Sequence, residues 1–130
     1  QHAVDYAGRL AAQLGADVVL VHALGLVAHL PLDAAHPGFT VGDHARDQLG
    51  SEWSRSLRIQ GVPHTCHVEE GPPLLAIPRI ADQLRADLII VASHGAGARY
   101  EGALGSTAHG LMQLAEVPVL VIPRTANERQ

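Results

Sequence analysis

Asp87-Leu88-Ile89-Ile90-Val91-Ala92-Ser93-His94-Gly95, nine further residues, then Gly105-Ser106-Thr107: the fold of this 130-residue chain is decided here. Its first part, Asp87 to Val91, is the continuous apolar run that a buried parallel strand needs. After Thr107 an apolar helix leads to a second such run, Val117 to Ile122. A glycine turn and a Ser/Thr-headed helix start therefore meet at the carboxyl end of a strand, where open α/β sheets bind ligands. Free N–H groups at a helix N-terminus attract anions, phosphate above all.

Upstream, Val4, Ala7, Ala11 and Leu14 recur at helical spacing, and Gly15 is placed to close that helix with a left-handed cap. Val18 to Val21 is continuous and apolar, which predicts a strand covered on both faces. Leu24 to Thr40 carries Gly25, Pro31, Pro37 and Gly38 with little periodicity, and reads as a long loop of the lid or partner-contact kind. Ala45, Leu49, Trp53 and Leu57 mark a second helix that Gly61 and Pro63 end. Val62 to Val68 alternates, predicting an edge strand with one wetter face. Leu74, Ile77, Ala81 and Leu84 stripe a third helix from Pro73 to about Arg85, kinked where Pro78 lacks the N–H that would reach Leu74. After the opening helix the order is β-α-β-α-β-α-β, an α/β fold with a doubly wound, mostly parallel sheet.

Composition narrows the function. The chain holds one core, with 47% hydrophobic and 17% charged residues. No run of about eighteen apolar residues encodes a membrane span, and the amphipathic start is not a signal peptide. A single cysteine, Cys66, leaves no internal disulfide and fits a reducing cytoplasm. The net charge of −4 without a basic cluster argues against nucleic acid. All nine cations are arginine, so Walker A, Schiff-base and kinase-type lysines are excluded. His64, Cys66 and His67 do not converge, since His67 points away from the other two on a strand. Ser93 beside His94 has no third group to orient it and no G-x-S-x-G elbow, so no hydrolase is read there. Gly95-Ala96-Gly97 with Gly102 has the wrong spacing for a dinucleotide fingerprint.

The stretch from Ala92 resembles the nucleotide-binding signature of the universal stress protein family: Gly, two residues, Gly, nine residues, then Gly-Ser or Gly-Thr. Alanine stands at the first position, and Gly95, Gly105 and Ser106 match the rest. Val68-Glu69-Glu70-Gly71-Pro72-Pro73 is similar to the family's strand-to-helix turn, and Val18 to Ala23 to its second strand. The likeness runs over nearly the whole chain. It implies an adenine nucleotide alpha hydrolase-like, Rossmann-like fold. It also implies a first strand tipped by aspartate before the opening helix. Because the chain begins inside that helix, residues 1–130 are expected to be one universal stress protein-like domain, N-terminally incomplete and part of a longer or tandem protein. Without that strand, the runs at Val18 and Leu88 must pair directly or leave peptide groups unpaired.

The resemblance also assigns a site. Ala23 would touch adenine; Ala92, Ser93, His94, Gly95, Ala96, Gly97 and Ala98 would wrap ribose and phosphates; Gly105, Ser106, Thr107 and Ala108 would hold the phosphates. The expected ligand is ATP or a related nucleotide, with Mg²⁺, in a cytoplasmic stress-response regulator that hydrolyses it slowly at most. The alternative is a dimerisation or interaction module of the same fold without nucleotide. Either form would be a homodimer joined through Val117 to Ile122. Read without its upstream partner, Ser106 does no more than cap its helix.

Overall fold

A computed structural model describes residues 2–25, 30–35, 38–93 and 104–123. Helix α1 spans His2–Leu14, strand β1 Val18–Ala23, helix α2 Val41–Gln48 and a π-helical turn Leu49–Trp53. Then follow α3 (Arg55–Ile59), β2 (His64–Glu69), α4 (Pro73–Gln83), β3 (Ile89–Ala92), α5 (Ser106–Leu114) and β4 (Val119–Ile122). Helices alternate with parallel strands, as the sequence order required.

Three helices end in the same way. In α1 the Ala16 N–H donates to the Ala11 carbonyl at 3.0 Å across Gly15, whose φ is 65°. In α3 the Val62 N–H reaches the Leu57 carbonyl at 2.9 Å across Gly61, φ 68°. In α4 the Ala86 N–H reaches the Ala81 carbonyl at 2.9 Å, but the left-handed residue is Arg85, φ 52°. Each is a left-handed cap that satisfies carbonyls the helix leaves open.

The second helical stripe is built differently from a plain α-helix. Ala45, Leu49 and Leu57 are buried and Trp53 partly so. A spacing of four residues drifts by about 40° per step on a helix of 3.6 residues per turn. The π-helical turn absorbs that drift, and the stripe stays on one face. Arg58 gathers the polar groups around the turn: its guanidinium donates to the Gly50 carbonyl at 3.0 Å, to the Ser54 hydroxyl at 2.6 Å and to the Ser51 carbonyl. At the other end Thr40 starts α2 with a capping box, its hydroxyl accepting from the Asp43 N–H at 3.1 Å and its N–H donating to the Asp43 carboxylate at 3.0 Å. Those bonds hold the Asp43 carboxyl below its usual pKa. The long loop delivers Thr40 by folding back on itself, with the Leu32 N–H on the Phe39 carbonyl and the Val41 N–H on the Leu30 carbonyl.

Helix α4 runs unbroken from Pro73 through Pro78. Its Ala81 joins Ile89 and Leu111 in a buried cluster, flanked by Leu74, Ile77, Val91 and Val119, that binds α4 and α5 to β3 and β4. Gly110 lets α4 and α5 approach closely: a Cβ there would lie 2.8 Å from Leu74 Cδ1.

One sequence expectation is corrected at β1. β1 is not covered on both faces; its residues are only partly buried and Val19 is exposed. The described strands are all parallel, as the α/β order predicted, and fall into two pairs. β1 pairs in parallel with β2, β3 with β4, and no pairing joins β1 to β3. Of the two outcomes weighed for the strands at Val18 and Leu88, direct pairing is therefore not the one seen. Exposure along β2 does not alternate: Thr65 and Cys66 are exposed, and His67 to Glu69 are half-buried.

Candidate functional site

The direction of peptide groups along each strand follows from its ladder. In the β1–β2 pair the Val18 N–H donates to the Pro63 carbonyl at 2.9 Å and the Leu24 N–H to the Glu69 carbonyl at 3.0 Å. Alternate residues of a parallel strand face opposite edges with their N–H and C=O. Val18, Leu20, His22 and Leu24 therefore turn theirs toward β2, whereas Val19, Val21 and Ala23 turn theirs the other way. In the second sheet the Ile89 N–H donates to the Pro118 carbonyl and the Ser93 N–H to the Ile122 carbonyl, both at 2.9 Å. Ile90 and Ala92 thus direct their peptide groups away from β4. Ala23 and Ala92 share one property: each ends its strand with N–H and C=O on the edge that no described strand covers.

The loop that leaves β3 is closed at its base. The Gly105 N–H donates to the Ser93 carbonyl at 2.6 Å, so the chain departs from Ser93 and returns beside it. Ser93 is buried. Gly105 is the N-cap of α5, with φ −64° and ψ 154°, and the first helical bond runs from the His109 N–H to its carbonyl at 2.9 Å. Any residue tolerates that backbone. Ser106 is consequently the first helical residue, not the cap, and no side chain caps α5. Helix geometry leaves the N–H groups of Ser106, Thr107 and Ala108 without intrahelical acceptors. No acidic residue stands in the first turn to repel an anion.

The Gly105–Ser93 bond thereby brings the start of α5, with Ser106, Thr107 and Ala108, next to the carboxyl end of β3, where Ala92 and Ser93 lie. Ala23 lies at the carboxyl end of β1, in the other sheet. His94, Gly95, Ala96, Gly97 and Ala98 lie outside the described residues. Around Ala23 the sequence reading missed a feature: Gly25 and Gly71 exchange two backbone hydrogen bonds, at 3.0 and 3.1 Å, forming an isolated antiparallel bridge. Two glycines bounding turns were its only trace in the chain. The sequence also did not reveal that the His22 and Trp53 rings meet, with centroids 5.0 Å apart. Burial pushes the His22 pKa below 6.5. Cys66 donates its S–H to the Leu49 carbonyl at 3.6 Å, and burial pushes its thiol pKa up, which favours an inert thiol over a nucleophile. Among the described residues, no three His, Cys, Asp or Glu side chains group to hold a metal, and no helix is long and apolar enough to cross a membrane.

Residues 1–123 match the sequence pattern of the Universal stress protein family. The chain belongs to that family. A universal stress protein of Synechocystis sp. is 30% identical over 121 residues, which cover 88% of this chain and 77% of that protein. Solved structures share the fold. The universal stress protein UspA of Lactobacillus plantarum superimposes with a TM-score of 0.73 at 20% identity, over 94% of this chain and 88% of its own. A family member from Arabidopsis thaliana with AMP bound gives 0.72 at 19% identity, over 98% and 80%. A universal stress protein in complex with cAMP gives 0.69 at 22%, over 95% and 86%. The parallel strands and alternating helices of this universal stress protein domain are thus the Rossmann-like α/β arrangement of its relatives.

Proposed function

We propose that this domain is a stress-response regulator that binds ATP or a related adenine nucleotide in the cytoplasm. The phosphates sit at the N-terminus of α5, on the N–H groups of Ser106, Thr107 and Ala108. The adenine edge pairs with the outward peptide groups of Ala23, and Ala92 with the segment Ser93 to Ala98 wraps the ribose and phosphates. One observation carries the reading: the Gly105 N–H bond to the Ser93 carbonyl sets an uncapped helix start against the end of a parallel strand. Relatives of the same fold holding AMP and cAMP support an adenine nucleotide as the ligand. Any Mg²⁺ would ride on the phosphates and neutralise their charge. With no lysine in the chain and no acid in the first turn of α5, hydrolysis is slow at most.

A second reading, a partner-binding module without nucleotide, has one observation in its favour: the Gly105 N–H is already used by Ser93 and is lost to a phosphate. In both readings we propose a homodimer joined through residues 117–122, since the outer edge of β4 is open among the described residues.

Calorimetry with ATP and Mg²⁺ separates the two. Micromolar affinity, about 8 kcal/mol, is expected under the first reading and no heat under the second. Gly105→Asp sharpens the test. An aspartate at the N-cap accepts from the same N–H groups a phosphate needs, so the helix holds or gains a few tenths of a kcal/mol. ATP affinity should nevertheless fall at least roughly tenfold. Gly105→Val should abolish binding by filling the space above the helix. Binding that survives both substitutions places the phosphates elsewhere.

A further inference from the structure

Ala23 can read a base only if the chain that follows it is held still, and the structure holds it in an unusual way. The Leu24 N–H is bonded to the Glu69 carbonyl at 3.0 Å, the last rung of the β1–β2 ladder. One residue later the direction reverses: the Gly25 N–H donates to the Gly71 carbonyl at 3.0 Å and the Gly71 N–H to the Gly25 carbonyl at 3.1 Å. Both glycines are in the left-handed region, φ 68° and 101°. L side chains are strained there, although no neighbouring atom would obstruct a Cβ at either position. Their requirement is therefore conformational. The turn through Gly71 leads to Pro72, the N-cap of α4, and Arg79 on that helix reaches back with Nη2 to the Glu70 carbonyl at 3.3 Å and the Glu69 carboxylate at 3.5 Å. The end of β1, the turn after β2 and the first turns of α4 thus form one closed circuit of hydrogen bonds.

We infer that the Gly25–Gly71 bridge, braced by Arg79, is a positioning device for the nucleobase: it fixes the outward peptide of Ala23 and so sets the preference for adenine. This deepens the proposed nucleotide site and rests on that reading. The bridge belongs to the sheet of β1 and β2, whereas the phosphate donors belong to α5 beside β3. Base recognition and phosphate binding are consequently separable by mutation. A bridge serving only stability would not distinguish them.

The test compares ATP, GTP and inorganic tripolyphosphate by calorimetry on the whole 130-residue chain. Gly25→Ala and Gly71→Ala strain the left-handed backbone, and each is expected to weaken ATP about tenfold while tripolyphosphate stays within about twofold. The preference for ATP over GTP should shrink in parallel. Arg79→Gln leaves every φ unstrained and serves if the glycine variants fail to fold. It should shift the same ratio by about threefold, since an exposed ion pair contributes little, with Arg79→Lys restoring part of it. Equal loss of ATP and tripolyphosphate, or no loss of either, overturns the inference and leaves the nucleotide site standing. If the parent chain binds none of the three probes, the nucleotide reading fails and the inference with it.

Discussion

Among the described residues, Arg85 is the one most at odds with its backbone. It occupies the left-handed position that glycine fills at the ends of α1 and α3. A Cβ in that conformation costs about 1–2 kcal/mol, partly offset because glycine loses more freedom on folding. Arg85→Gly should therefore stabilise the domain by about 1 kcal/mol, read as a raised urea midpoint at unchanged slope. His22 offers a second test at this scale. Burial depresses its pKa below 6.5, so between the folded value and 6.5 the unfolded chain binds more protons. Its contribution is intact above pH 6.5 and is lost as pH falls through that window. Trp53, the only tryptophan, lies against the imidazole and reports the event. Its fluorescence should titrate with a midpoint below 6.5, and His22→Gln should remove both the transition and that part of the acid sensitivity.

At the scale of elements, the helix between the long loop and β2 shows how a spacing becomes a shape. Ala45, Leu49, Trp53 and Leu57 stand four apart, too wide for a straight α-helix, and the π-helical turn reconciles them. Removing one residue from that turn restores a spacing of four, three and four, which an α-helix accommodates. Deletion of Gly50 should therefore keep a cooperative fold with stability within about 1 kcal/mol of the parent, because glycine is itself a poor helix former. Circular dichroism during urea unfolding checks it. Loss of cooperative unfolding would mean that the carbonyls held by Arg58 matter more than the stripe. The close approach of α4 and α5 depends on Gly110 in a different sense. Gly110→Ala must push Leu74 aside and should cost about 1 kcal/mol after the gain in helix propensity.

For the whole molecule the parity of peptide groups is decisive, and β4 shows it. Pro118 and Ile122 accept from β3, so Val119 and Val121 point their N–H and C=O outward. Val121→Pro removes only an outward N–H, and if two copies join along this edge it should yield a folded monomer in sedimentation. Leu120→Pro removes a group facing β3 and should unfold the sheet. A dimer that survives Val121→Pro is held by another surface.

Much of this was legible in the chain. The apolar runs marked β1, β3 and β4, and the run from His64 to Val68 marked β2. Gly15 and Gly61 closed their helices as expected, because a left-handed turn leaves few residue types to choose from. Gly105 and Ser106 were recognised as a helix start, but which of them capped it was not. Capping depends on a ψ angle one residue away, and spacing carries no trace of it. Arg85 was missed for the opposite reason: its side chain gives no sign of a left-handed backbone.

What the residues determined alone is local: periodicity, breakers and the clustering of backbone donors near one helix end, since each needs only neighbours in the chain. The tertiary structure decided what depends on partners far along it. Among the described residues it paired β1 with β2 and β3 with β4, turned the peptides of Ala23 and Ala92 to edges that no described strand covers, and linked Gly25 to Gly71 across 46 positions of sequence. Hydrogen bonds between peptide groups are blind to side chains, so the amino-acid order could not announce them.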